Sequence, residues 1–92
     1  MKYEWDEAKN AVNIENHGVD FNDPHELFEG NKLIVPDDRK DYGEKRFIAV
    51  GHINNRLMIA VYTQRPPGAI RIISLRKANS REKARFEDTI KN

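Results

Sequence analysis

The chain has 92 residues, 34% of them charged, and a formal net charge of +1; this excludes a polybasic protein and predicts one small domain over residues 1–92. Because it has no cysteine, disulfide bonds and thiolate metal sites are excluded. No apolar run approaches the roughly 20 residues of a membrane-spanning helix, and the charged, aromatic N-terminus is unlike a signal peptide, so we expect a cytoplasmic protein without membrane contact.

Charge is unevenly distributed along the chain. Acidic residues dominate from Met1 to Gly30, and basic residues dominate from Lys45 onward. This asymmetry predicts a basic face in the C-terminal half, which could bind an anionic polymer. The alternative is an acidic, helical end that packs beside a basic sheet without any ligand.

The first third of the chain predicts a short strand and two helices. Lys2–Trp5 is the strand candidate, and Asp6 is expected to cap a helix over about residues 7–17 that ends at a left-handed Gly18. The residues expected to form a thin apolar stripe on this helix are Ala8, Ala11 and Val12. A second helix is expected to begin with an Asp23 cap, Pro24 and a Glu26 that completes a capping box.

The centre of the chain predicts a β-hairpin after a brief strand at about residues 32–36. Asn54-Asn55 suits a type I′ turn between strands 45–53 and 56–65. The turn fixes which residues share a side of the hairpin. The first side carries Phe47, Ala49, Gly51, Met58, Ala60 and Tyr62. The second side carries Arg46, Ile48, Val50, His52, Leu57, Ile59, Val61 and Thr63. The second set is richer in branched aliphatic residues, so we expect it to face the core and the first set to line an uncovered surface.

A further strand is expected after a reversal at Pro66-Pro67-Gly68 and ends at Lys77. If Ile73 and Leu75 share the core side with Ile59 and Val61, the reversal has three or five residues. Ile72, Ser74 and Arg76 then lie on the uncovered side with Tyr62, unless a bulge reverses them. Asn79 is expected to cap the last helix, with Glu82 closing a capping box.

These elements predict an α+β fold with two N-terminal helices, a twisted antiparallel sheet of about four strands, and a C-terminal helix. Cations and aromatic side chains on the uncovered face could bind phosphates and unpaired bases, although an ordinary solvated face would look similar. Near the strand ends, Arg46, Arg65 and Arg71 are expected to pair with helix carboxylates such as those of Glu7, Glu15 or Glu26.

Metal and cofactor chemistry find little support in the sequence. The histidines His17, His25 and His52 are scattered, so no metal site is expected. The carboxylates of Asp37, Asp38 and Asp41 are interpreted as a solvated loop. We find no nucleotide-binding or hydrolase motif and expect no cofactor.

Several segments match one pattern in order and spacing. They are Glu4-Trp5-Asp6, residues 17–21, residues 41–46, residues 62–65 and residues 70–78. Together they resemble the BrnT toxin family of bacterial type II toxin–antitoxin modules. The resemblance implies a RelE-like toxin fold and RNA cleavage that halts translation. It also implies a DNA-binding BrnA-like antitoxin, through which alone the toxin would reach operator DNA.

A metal-free ribonuclease needs a base, an acid and cations that stabilise the phosphorane. By residue type, the resemblance implies Arg76 and Arg46 as phosphate clamps, Tyr62 as a stacking group or weak acid, and Glu82 as the base unless it serves only as a cap. The secondary RNA-binding candidates are Lys45, Arg56, Arg65, Ser74 and Lys77. The alternatives are an inactive toxin that acts as corepressor or antitoxin scaffold and, less favoured, a metal nuclease.

Overall fold

A computed structural model describes residues 2–22 and 24–91, without the side chain of Lys91. Its elements are β1 (Lys2–Trp5), α1 (Glu7–His17), α2 (His25–Glu29), β2 (Lys32–Pro36), β3 (Phe47–Ile53), β4 (Arg56–Arg65), β5 (Ala69–Lys77) and α3 (Ser80–Lys91). The α+β class is confirmed. No helix within these residues is long and apolar enough to cross a bilayer.

The sheet has five strands in the order β1-β5-β4-β3-β2. The strand β1 pairs parallel to β5, whereas the other neighbours pair antiparallel. The prediction of about four antiparallel strands is therefore wrong in strand number and in direction. The reason is that two helices and three strands separate β1 from β5 along the chain, so no turn constrains how these two strands pair.

Helix ends follow the predicted local chemistry. The Asp6 carboxylate accepts hydrogen bonds from the backbone N–H groups of Ala8 (2.9 Å) and Lys9 (3.2 Å), and Gly18 is left-handed with φ 68°. The predicted Asp23 cap of α2 lies outside the described residues. Glu26 makes a long-range contact instead, because its carboxylate accepts a hydrogen bond from the Asn54 backbone N–H at 3.0 Å.

The inner face of α1 consists of asparagines. Asn10 and Asn13 are only 5% and 6% exposed, whereas the predicted stripe of Ala8, Ala11 and Val12 is exposed. The Asn13 amide donates to the carbonyls of Val19 (2.9 Å) and Leu75 (2.7 Å). The stripe prediction is wrong because this helix packs against backbone groups, whose hydrogen-bonding capacity an amide satisfies and an alkyl group does not.

The β3–β4 hairpin has the predicted register. Asn54 and Asn55 adopt φ values of 52° and 63°, and every predicted pair from Ile53 and Arg56 to Phe47 and Tyr62 is formed. The predicted sides are exchanged, however. Ala49, Met58, Ala60 and Tyr62 lie in the core with Phe21, Leu27 and Phe28.

Close approach of α2 explains why small residues face the core. A Cβ on Gly51 would lie 3.2 Å from Leu27 Cγ and 3.3 Å from the Asn31 carbonyl oxygen. The core side therefore needs glycine and alanine beneath this helix, and the bulkier aliphatic residues take the other side. We call that other side, which carries Ile48, Val50, Ile59 and Val61, the open face.

A β-bulge changes the parity of β5. The reversal spans three residues, between the paired Arg65 and Ala69, and the register shifts between Val61 and Tyr62. As a result Ile72 and Leu75 both face the core, and the prediction that Leu75 joins Ile59 and Val61 is wrong. Ser74 lies opposite Val61, and Arg76 lies opposite Ile59. The wrong hairpin face and the missed bulge have opposite effects on these two residues, so both lie on the open face, the side on which they were predicted to lie with respect to the core.

Candidate functional site

A groove of about 540 Å³ crosses the open face between β2 and α3. Its floor is aliphatic, and one end carries charged side chains. The lining residues are Leu33, Ile34, Val35, Arg39, Ile48, Val50, Ile59, Val61, Ser74, Arg76, Glu82, Arg85, Phe86 and Thr89. Phe86 anchors α3, because it is 4% exposed and lies edge-on to the His52 ring at 5.8 Å.

Arg76 and Glu82 form a bidentate ion pair at the charged end. Arg76 Nη1 donates to Glu82 Oε1 at 2.9 Å, and Nη2 donates to Oε2 at 2.8 Å. These hydrogen bonds, followed by one from the Asn79 backbone and the charges of Arg76 and Arg85, lower the pKa of Glu82 to about 2. The same hydrogen bonds raise the pKa of Arg76. The predicted capping box is formed as well, because the Asn79 side chain accepts from the Glu82 N–H at 2.8 Å.

Arg39 brings a second guanidinium to the groove. Its Nε and Nη2 atoms donate to the two carboxylate oxygens of Asp37 at 2.7 and 2.8 Å. The Asp37 side chain is fully buried, whereas that of Arg39 is 67% exposed. The hydrogen bond from Arg39 holds the pKa of Asp37 below its usual range. Asp37 is therefore a buried anchor, and its interpretation as part of a solvated loop is wrong.

Three guanidiniums consequently lie near two carboxylates, because Arg39 is bonded to Asp37 and Arg76 is bonded to Glu82. The positive charge of Arg39 opposes the rise in the pKa of Arg76. The positive charge of Arg85 contributes to the lowered pKa of Glu82. Sequence reasoning missed Arg39 and Arg85 as site residues. The Asp37-x-Arg39 spacing could have indicated a local ion pair, but no local signal distinguishes Arg85 from other cations on the charged α3.

Tyr62 does not reach this surface. It is 3% exposed, and its ring contacts those of Phe28 at 5.0 Å and Phe47 at 5.6 Å in the core. Burial raises its pKa. Its predicted placement on an uncovered face is wrong. The small residues beside it in the hairpin allow α2 to pack against this side of the sheet.

The cations near the start of β3 form a separate cluster. Arg46 and Arg65 lie 3.1 Å and 3.5 Å from the Glu44 carboxylate, and the Arg46 guanidinium stacks 4.1 Å from the Tyr42 ring centroid. The neighbouring Lys45 is exposed. Arg71 pairs with Glu4 at 3.8 Å. Ion pairing was predicted correctly, but the partners lie in a loop and in β1 rather than in the helices.

Arg56 and Lys77 line another cleft, of about 420 Å³, with Gly18, Asp20 and Asn54. Lys77 lies opposite Met58, so it faces away from Arg76 across the sheet. The predicted set is thereby divided: Ser74, Arg76 and Glu82 share the groove, and the remaining candidates lie elsewhere. Within residues 2–22 and 24–91, no three His, Asp or Glu side chains are close enough together to hold a metal ion.

Comparison with known proteins identifies relatives. A family model described as the ribonuclease toxin BrnT of type II toxin–antitoxin systems matches residues 5–82. The crystal structure of the Brucella abortus ribonuclease toxin BrnT is similar, with a TM-score of 0.73 and 30% sequence identity over 87% of this chain and 99% of that one. No curated protein sequence gives a significant match. The family match includes Arg76 and ends at Glu82, so most of α3 lies beyond it.

Proposed function

Since the chain belongs to the BrnT family of ribonuclease toxins of type II toxin–antitoxin systems, we propose that it is an endoribonuclease that binds an RNA phosphate at the charged end of the groove. The observation that carries the proposal is the cluster of Arg39, Arg76 and Arg85, which lines that end beside Ser74. Guanidiniums match the geometry of phosphate oxygens and stay charged at any physiological pH.

The reaction that suits this cluster is transesterification within the RNA. The 2′-hydroxyl loses its proton to water as its oxygen attacks the adjacent phosphorus. The bond from phosphorus to the 5′-oxygen breaks, and that oxygen takes up a proton from water, so the products carry a 2′,3′-cyclic phosphate and a 5′-hydroxyl. Negative charge accumulates on the phosphorane oxygens, and guanidinium donors fixed in place stabilise it. Arg76 is the candidate for this role, while Arg39 and Arg85 bind the flanking backbone.

Glu82 is assigned a positioning role in this scheme. With a pKa of about 2, its carboxylate is a weak proton acceptor near pH 7. It instead fixes the Arg76 guanidinium through two hydrogen bonds. Arg46, held by Glu44 and Tyr42 outside the groove, is assigned to the structure rather than to the phosphate clamp.

The cellular role extends this chemistry. We propose that cleavage inhibits translation, that a DNA-binding antitoxin neutralises the chain, and that the pair represses its own operon in the cytoplasm. A second candidate function follows from the Arg76–Glu82 pair, since the phosphate must compete with a carboxylate already bound to the guanidinium. That observation favours a binding module, in which the chain serves as corepressor without cutting RNA.

RNA cleavage in excess chelator separates these functions. The purified chain should cut single-stranded RNA with EDTA present and leave 2′,3′-cyclic phosphate ends, and its expression alone should arrest bacterial growth. Intact RNA and normal growth would leave only the binding module. Cleavage that EDTA abolishes would identify a metal nuclease instead.

A further inference from the structure

The aliphatic floor of the groove is not explained by RNA cleavage. It is formed by Leu33, Val35, Ile48, Val50, Ile59 and Val61. Phosphates require cations, and unpaired bases stack on aromatic faces, but the floor offers neither. Val35 is 49% exposed and lies on β2, at the edge of the sheet. Ile59 is only 6% exposed, so the apolar surface is most accessible along this edge strand. An accessible aliphatic surface is typical of a protein interface.

We propose that the groove floor is the docking surface for the protein antitoxin, which contributes an amphipathic segment with aliphatic side chains on one side and carboxylates beside them. The inference rests on the proposed function, since it takes the chain to be the toxin of a type II pair. It adds the surface that the partner covers and the chemistry that the partner must present.

Charge complementarity selects this occupant. The groove is lined by three guanidiniums, those of Arg39, Arg76 and Arg85, and by the carboxylate of Glu82. The buried carboxylate of Asp37 offsets Arg39, so this cluster carries one positive charge in excess. A segment that lays its aliphatic side chains on the floor places its neighbouring carboxylates within reach of this positive excess. The apolar surface continues onto Ile34, 47% exposed on the same edge strand, so the segment can extend past the rim of the sheet.

Neutralisation follows from the shared position of the two ligands. The arginines that would hold the RNA phosphate are the ones that pair with the carboxylates of the segment. Antitoxin and RNA therefore compete for the groove, and the toxin is inhibited without any change in its fold.

Calorimetric titration with the purified antitoxin encoded beside the toxin gene tests the surface. Val35→Glu should weaken binding by about 30-fold or more, because it puts a charge on the apolar floor of the groove. Val12→Glu is the matched control: Val12 is 54% exposed but lies on α1, across the sheet, so affinity should stay that of wild type.

A second pair of variants changes residues of α3 and leaves the sheet unchanged. Arg85→Glu should weaken binding, whereas Lys83→Glu, on the same helix but not among the groove residues, should not. Thermal unfolding confirms that each variant is folded. Equal affinity for wild type, Val35→Glu and Arg85→Glu, or no binding by the wild type, overturns the docking surface.

The two proposals fail separately. If the chain leaves RNA intact but binds the antitoxin through Val35, the ribonuclease function fails and the docking surface stands. If the chain cuts RNA and both groove variants bind as wild type does, only the docking surface fails.

Discussion

Arg76 and Glu82 are joined by two parallel hydrogen bonds, of 2.9 and 2.8 Å, that link the end of β5 to the first turn of α3. The same carboxylate accepts the Asn79 backbone N–H at 2.9 Å. One side chain therefore caps the helix and fixes a guanidinium over the groove. Because the bidentate geometry leaves Arg76 little rotational freedom, its charge is preorganised for a phosphate.

Replacing Arg76 by alanine should lower the RNA cleavage rate by about 10²–10³-fold, the usual effect of losing one preorganised transition-state donor. Single-turnover cleavage of a short RNA measures it. Arg81→Ala is the matched control, since Arg81 is an exposed arginine of α3 that does not line the groove. A rate for Arg76→Ala equal to that of wild type would remove Arg76 from the mechanism.

Glu82 should make stability depend on pH in acid. Its folded pKa, about 2, lies below its ordinary value of 4.5. Such a group stabilises the fold fully above pH 4.5, and that stabilisation is lost as the pH falls toward 2. Glu82→Gln should therefore cost about 1–2 kcal/mol at neutral pH, a value reduced for the partial exposure of the pair.

Urea unfolding of the wild type and Glu82→Gln at several pH values measures this difference. The difference in unfolding free energy should shrink across that acid window. Asp20 and Asp37, whose pKa values are also lowered, titrate in both proteins and cancel in the comparison. A difference independent of pH would contradict the assigned role of the ion pair.

Asp37→Asn should weaken RNA binding although it replaces none of the groove arginines. The neutral amide cannot hold Arg39 by two charge-assisted hydrogen bonds, so the guanidinium would move into solvent, and the fold should lose about 1–3 kcal/mol. Asp38→Asn, an exposed neighbour, is the control. Fluorescence anisotropy with a 2′-deoxy oligonucleotide reads the affinity, and equal affinities for the two variants would exclude Arg39 from the site.

The elements that were predicted correctly are set by interactions between residues close together in the sequence. The caps at Asp6 and Asn79 and the turn at Asn54-Asn55 involve groups within a few residues, so their chemistry is readable locally. The face of the hairpin depends instead on how closely α2 approaches Gly51. That distance is a tertiary property, and counting aliphatic residues on each side gave the wrong face.

The site was predictable in part for the same reason. Arg76 and Glu82 are six residues apart, and the capping box fixed where Glu82 would lie. Arg39 reaches the groove only because a buried Asp37 turns it there. Tyr62 was misplaced with the hairpin face, since its position follows from the packing of Phe28 and Phe47 against it.

Asn13→Ala should destabilise the fold by about 1–3 kcal/mol, because it removes the amide that donates to the carbonyls of Val19 and Leu75, the second of these contacts being buried. Asn16→Ala, on the exposed side of the same helix, should have little effect. Thermal unfolding monitored by circular dichroism compares them. If both changes were equally mild, the asparagine contacts of α1 would contribute nothing to stability.

Phe86→Ala should release α3 from the sheet. Phe86 is the only apolar side chain of α3 that is buried among the described residues, and the rest of the helix is strongly polar, so the helix has no other apolar anchor. Removing the ring should cost about 2–4 kcal/mol of local stability.

Hydrogen exchange resolves where that stability is lost. The amides of α3 should exchange faster, while those of β3, β4 and β5 keep their protection, because the core on the other side of the sheet does not include Phe86. Ile90→Ala, at a side chain that is 56% exposed, is the matched control and should leave every amide unchanged. Loss of protection throughout the sheet would show instead that α3 is part of the cooperative fold, and the groove wall would then be as rigid as its floor.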